Sequence, residues 1–209
     1  MNMKKLVLPI SLILLIGFMA FVFASSSEAS VNINSGWNLV YGFTHPDRIT
    51  SNSEISSNNI KAVYLLDQRT KEYVRVYPNP ESSKLEGIED SYYEQTAQWV
   101  YSDKSGKMNY IAEEPLPISE HKLYVGWNLV ALTTDDLVGK KINEFKGTCN
   151  IEKVYAFEPT KQDWINMIDE EMQYEALGLG MAIKVTNECN LGIKIDDGGL
   201  IAPPPSIPN

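Results

Sequence analysis

One pentapeptide occurs twice: Gly36-Trp37-Asn38-Leu39-Val40 returns unchanged as Gly126-Trp127-Asn128-Leu129-Val130, 90 positions later. A Trp-containing match of this length points to an internal repeat, and a repeat constrains architecture before any local propensity does. The correspondence continues downstream. Val63-Tyr64-Leu65-Leu66-Asp67 aligns with Val154-Tyr155-Ala156-Phe157-Glu158, and Tyr73-Val74 with Trp164-Ile165, at an offset of 91. A weaker third block sets Trp99-Val100-Tyr101 on Ala182-Ile183-Lys184 at an offset of 83. Offsets that change only between blocks place the length differences in loops, where they cost little.

Each pentapeptide reads as a strand. Trp37, Leu39 and Tyr41 fall on one face, and Asn38 and Val40 on the other. The preceding glycines suit a turn with positive φ. Trp37, Leu39, Trp127, Leu129, Tyr64 and Tyr155 are the expected repeat core, because Trp is usually largely buried. The alternative for the two Trp is an exposed platform for a sugar ring or an apolar partner.

Alternating segments separated by turn residues predict further strands. Lys61–Leu66 and Glu72–Tyr77 form an expected hairpin, repeated by Val154–Glu158 and Asp163–Ile168. Trp99–Ser102 and Lys107–Ile111 form another, as do Met181–Thr186 and Leu191–Ile195. A helix is expected over Asp135 to about Lys146, capped by Thr134, with Val138, Ile142 and Phe145 on one face. Thr50–Ser57 predicts a short helix or a loop. The fold class is therefore mostly β: two tandem homologous β-rich units, residues 31–116 and 122–197, with one or two short helices. Pro115 and Pro117 make the connector stiff. Residues 202–209, with four Pro, predict a disordered tail.

The N-terminus has a secretory form. Met1–Lys5 is basic, Leu6–Phe23 is an apolar run of 18 residues, and Ala24–Ser30 is small and polar. Cleavage fits after Ala24, giving a signal peptide over residues 1–24, or after Ala29. The length of the apolar run also fits a retained N-terminal anchor. Both outcomes place the remaining chain outside the cytoplasm, secreted or at the cell surface, with membrane contact only if the leader is uncleaved. Loss of Lys4 and Lys5 leaves 16 basic against 27 acidic residues, a formal charge of −11. Such a surface repels nucleic acid and anionic lipid.

Cys149 and Cys189 both lie in the second unit, each two residues before a predicted strand. An even cysteine count in an exported chain favours a disulfide, which would tie the second strand of that unit to its last. No other cofactor or metal is expected, since His45 and His121 lack metal-pair spacing and read as exposed loop residues. Gly178-Leu179-Gly180 lacks the third Gly of a dinucleotide loop. The runs Asp169-Glu170-Glu171, Asp196-Asp197 and Glu113-Glu114 lack calcium-loop spacing and read as solvated faces. No catalytic residue is assigned. Tyr92 and Tyr93, within the long loop from Pro78 to Gln98, are the candidate binding surface.

The combination of Gly-Trp-Asn-Leu-Val, a Val-Tyr-x-x-Asp/Glu strand and an aromatic Trp-Val-Tyr strand resembles the recurrent "GWNL" repeat of exported and surface proteins of prokaryotes. The likeness spans residues 36–44, 60–77 and 97–111 and their counterparts. It implies β modules outside the cytoplasm and no particular activity. The second unit departs from it at Ala182, where a Trp is expected. The functional expectation is a non-catalytic exported module that binds or scaffolds at the cell envelope, with a polysaccharide or an envelope protein as partner. The alternative is a secreted carbohydrate-active enzyme or its binding accessory, because a glycosidase carboxylate pair is assembled by the fold and leaves no sequence signature.

Overall fold

Each unit starts at a turn held by an asparagine. A computed structural model describes residues 27–131 and 137–192. The Asn38 amide accepts from Asn34 N at 2.8 Å and donates to Asn34 O and Gly36 O at 2.8 and 3.1 Å. Asn128 makes the same bonds to Tyr124 N, Tyr124 O and Gly126 O, at 2.9, 2.8 and 2.9 Å. Both amides are fully buried. The bend that they close needs Gly36 at φ +104° and Gly126 at φ +91°, values that a side chain would strain.

From these turns run β2 (Gly36–Tyr41) and, in the second unit, β8 (Gly126–Ala131). In the first unit they are followed by β3 (Ile60–Leu66), β4 (Tyr73–Tyr77) and β5 (Ala97–Ser102), forming an antiparallel sheet of order β2-β5-β3-β4. In the second, β9 (Ile151–Glu158), β10 (Asp163–Asn166) and β11 (Gly180–Val185) give the order β8-β11-β9-β10. The two orders are the same. Even the irregularity repeats: β3 shifts register against β5 between Ile60 and Ala62, and β9 shifts against β11 opposite Lys184 and Val185. A ribbon of β1 (Ser27–Ile33) with β6 (Gly106–Ala112) flanks the first sheet, and β7 (Lys122–Leu123) with β12 (Cys189–Asn190) the second.

Several expectations from sequence are corrected. Trp99–Ser102 and Lys107–Ile111 do not form a hairpin, because β5 is already paired on both sides by β2 and β3. The chain therefore leaves the sheet after Ser102, and β6 pairs with β1 instead. The expected Asp135–Lys146 helix is reduced to one turn, α3 (Ile142–Phe145); Gly139 at φ +77° is incompatible with a continuous helix, and Asp135 lies outside the described residues. The segment 78–96 is not all loop: it carries α1 (Ser82–Leu85) and α2 (Asp90–Tyr93). Thr50–Ser57 forms turns that lead into a 3-10 turn at Ser57–Asn59.

The two sheets share a core. Leu129, Ala131 and Ala182 of the second unit belong to the same buried cluster as Leu39, Val63, Val100 and Tyr110 of the first. The closest approach is at Gly180, where a methyl group would stand 2.3 Å from Ala97 Cβ and 2.5 Å from Leu39 Cγ. Ala97 and Gly180 are equivalent positions, so the units are related about this contact by a local pseudo-two-fold relation. Thr96 Oγ1 donates to Leu129 O at 2.7 Å and Tyr41 N to Gly178 O at 3.0 Å, which fixes the register between the units. A second buried cluster, around Leu137, Phe145, Val154 and Ile183, belongs to the second unit. It contains Cys149 and Cys189, which are bonded with Cα atoms 4.9 Å apart. The bond joins the segment before β9 to the start of the ribbon strand β12. The leader and the tail lie outside the described residues.

Candidate functional site

Facing the sheets about a local two-fold brings the β3–β4 hairpin tip of one unit to the first strand of the other. Lys71 ends the first tip at φ +63° and donates from Nζ to Trp127 O at 2.9 Å and to Tyr124 O at 3.5 Å. Gln162 is its counterpart in the second tip, at φ +54°. Its Oε1 accepts from Trp37 N and its Nε2 donates to Trp37 O, both at 2.8 Å. The Gln162 amide thus pairs with the outer edge of β2 as a neighbouring strand would, and closes that edge against further pairing.

These crossings create two aromatic clefts. The first, about 530 Å³, is lined by Trp37, Tyr64, Trp99, Tyr73, Phe157 and Gln162. Its rings pack edge to face: Trp99 lies 4.7 Å from Phe157, 5.6 Å from Trp164 and 6.2 Å from Trp37 between centroids. The second, about 540 Å³, is bounded by Trp127, Tyr155, Leu66, Tyr73, Trp164 and Ala182, with Lys71 at its rim. Position for position it repeats the first, with Leu66 for Phe157, Lys71 for Gln162 and Ala182 for Trp99. Here Trp127 and Tyr155 are tilted at 46° with centroids 5.9 Å apart, against 62° and 6.1 Å for Trp37 and Tyr64 in the first cleft. Tyr73 lines both clefts and joins them.

The expected repeat core therefore divides. Leu39 and Leu129 are buried. Tyr64, Tyr155 and Trp37 are only half-buried, and Trp127 is 38% exposed, so the Trp residues are not core anchors. Trp and Leu do share a face of the strand, but that face lies on the opposing sheet at Leu and runs out into a cleft at Trp. Tyr73 at 53% and Trp164 at 38% are exposed beside it. Their sequence signal was present in the alignment of Tyr73 with Trp164, both on edge strands.

Tyr92 and Tyr93 do not form an exposed surface: the first is buried and the second half-buried. Tyr92 is 7% exposed; its hydroxyl donates to Leu66 O and accepts from Gln68 N, and burial raises its pKa. Tyr93 packs against the shared core. Helix α2 turns the Tyr92 ring inward from a segment whose sequence reads as loop. His121 is not an exposed loop residue either: it is fully buried beneath the connector, with Nε2 3.1 Å from Leu116 O, and burial pushes its pKa down to about 4.

A polar cavity of about 300 Å³ lies elsewhere between the units. There Arg69 bonds Tyr124 Oη at 3.1 Å and pairs with Glu89 at 3.1 Å, and Lys122 lies 4.9 Å from the Tyr124 ring centroid. Of its charges, Arg69 and Glu89 pair with each other, and Lys122 pairs with Glu188, outside the lining, at 3.8 Å. Among the described residues no three His, Cys, Asp or Glu are grouped to hold a metal, and no helix is long and apolar enough to cross a membrane.

No protein-family model, curated protein or solved structure matches this chain.

Proposed function

We propose that the protein is a non-catalytic exported module that binds at the cell envelope through the two aromatic clefts. The observation that carries this reading is the exposed ring set shared between the units: Trp127, Tyr73 and Trp164 all line one cleft and are exposed. Soluble proteins keep such patches small unless they serve recognition. The polar members of the lining, Lys71 and Gln162, already bond main-chain atoms of Trp127 and Trp37. Ring stacking, rather than proton transfer or nucleophilic attack, is the chemistry that these side chains offer. The basic and apolar leader supports export, and the Cys149–Cys189 bond is compatible with an oxidising compartment outside the cytoplasm. The rings equally suit the role of a carbohydrate-binding accessory.

The test is co-sedimentation of oxidised protein, residues 25–209, with envelopes from the source organism. Retention that weakens in Trp127→Ala is the expected result. A protein that stays in the supernatant, or retention unchanged by that substitution, removes the aromatic clefts as the binding site.

A further inference from the structure

The polar cavity of about 300 Å³ is assembled from segments that only the two-unit fold brings together. Arg69 comes from the β3–β4 tip, Gln95 from just after α2, Glu120 from the connector, and Lys122 and Tyr124 from the start of the second unit. Both cations lie over one ring, Lys122 Nζ at 4.9 Å and Arg69 Cζ at 5.5 Å from the Tyr124 centroid. Their ion pairs, with Glu89 and Glu188, are exposed at both ends and so exchange readily for another partner. Gln95, by contrast, is only 7% exposed. Its Oε1 accepts from Lys122 N at 2.8 Å, and its Nε2 has no partner among the described residues. A buried amide with unused N–H groups on a cavity wall calls for an acceptor from outside the chain. Glu120 supplies the opposite sign: an exposed carboxylate on the same cavity, with no partner among the described residues.

We infer that this cavity binds a small zwitterion, an amino acid or a dipeptide, whose carboxylate accepts from Arg69, Lys122 and Gln95 Nε2 and whose ammonium group donates to Glu120. The site is separate from the aromatic clefts and does not rest on them. A guanidinium matches the two oxygens of a carboxylate, and Arg69 uses only Nε and Nη2 on Tyr124 and Glu89. A free anion is disfavoured, because the chain carries a charge of −9 and the lining sets Asp67, Glu89 and Glu120 against two cations. A zwitterion adds no net charge and meets both signs. The volume stands at the small end of ligand cavities, which suits a molecule of this size.

The test is isothermal titration calorimetry of the mature oxidised protein with alanine, glycylglycine, L-alanyl-L-alanine and D-alanyl-D-alanine. At least one should bind saturably, and its N-acetyl and C-terminal amide forms at least tenfold more weakly. Gln95→Glu keeps an acceptor for Lys122 N and turns the free donor into a carboxylate, so affinity should fall at least tenfold. Arg69→Gln, at an exposed side chain, should do the same and serves if Gln95→Glu does not fold. Glu120→Gln should weaken the free zwitterion and leave its N-acetyl form unchanged, and melting curves check that each variant folds. Absence of saturable binding by all four probes overturns the inference, as does affinity unchanged in the folded variants. Equal binding of the blocked forms, or tighter binding of inorganic phosphate than of every zwitterion, overturns the ligand class.

Discussion

Lys71 and Gln162 occupy the same place in their hairpins, and each reaches across to the main chain of the other unit's Trp: Lys71 Nζ to Trp127 O at 2.9 Å, Gln162 Nε2 to Trp37 O at 2.8 Å. The exchange is reciprocal but chemically unequal. An ammonium group only donates, whereas the Gln162 amide also accepts from Trp37 N. The edge of β2 is therefore closed on both its donor and its acceptor, and the edge of β8 on its acceptor alone.

Gln162→Ala should accordingly cost more than Lys71→Ala. The net value of a hydrogen bond is about 1 kcal/mol, so losses near 2 kcal/mol for the two 2.8 Å bonds of Gln162 and near 1 kcal/mol for the 2.9 Å bond of Lys71, whose 3.5 Å contact with Tyr124 O adds little, are expected from urea denaturation. The reverse order would mean that the amide pairing on β2 adds nothing beyond the surface contact.

Asn128→Ala should be more damaging than Trp127→Ala. The amide is fully buried and ties Tyr124 N, Tyr124 O and Gly126 O, so its loss strands buried polar groups at about 1–3 kcal/mol each. The half-open Trp127 should cost only about 1–2 kcal/mol, well below a core Trp. Paired denaturation curves decide the ranking, and Asn38→Ala should match Asn128→Ala because the two turns have the same bonds.

Stability should fall on acidification through His121. Its folded pKa of about 4 lies below the ordinary value of 6.5, so between these values the unfolded chain binds the proton and the native protein does not. The stabilisation is present above pH 6.5 and is lost as pH falls towards 4, up to about 3 kcal/mol in all. In His121→Gln this part of the pH dependence should vanish; an unchanged slope between pH 6.5 and 4 would assign it to carboxylates instead.

Reduction of Cys149–Cys189 should loosen the second unit first. The bond closes a loop of sequence separation 40 within that unit's own buried cluster. The loop-entropy model gives about 4 kcal/mol. Hydrogen exchange with reductant should show amides of β9 and β12 losing protection while those of β3 and β5 keep theirs. Uniform loss across both sheets would mean that the shared core unfolds as one unit.

What the sequence determined by itself is what short-range pattern encodes. The recurring pentapeptide placed β2 and β8. Alternation and turn residues placed the β3–β4 and β9–β10 hairpins, and the paired cysteines in one unit pointed to their bond. Each of these follows from a period or a spacing that neighbouring residues carry on their own. What only the tertiary structure decided is which of those residues meet solvent. Trp37 and Leu39 share a face of one strand, yet Leu39 is covered by the opposing sheet and Trp37 lines a cleft. Tyr92 and His121 read as loop residues and are buried, because α2 packs on the shared core and the connector, whose Ile118 packs on the second cluster, closes over His121. Burial depends on what packs against a side chain, and at the clefts that neighbour is the other unit's hairpin, 125 positions from Trp37 to Gln162 and 56 from Trp127 to Lys71, beyond the reach of any local pattern.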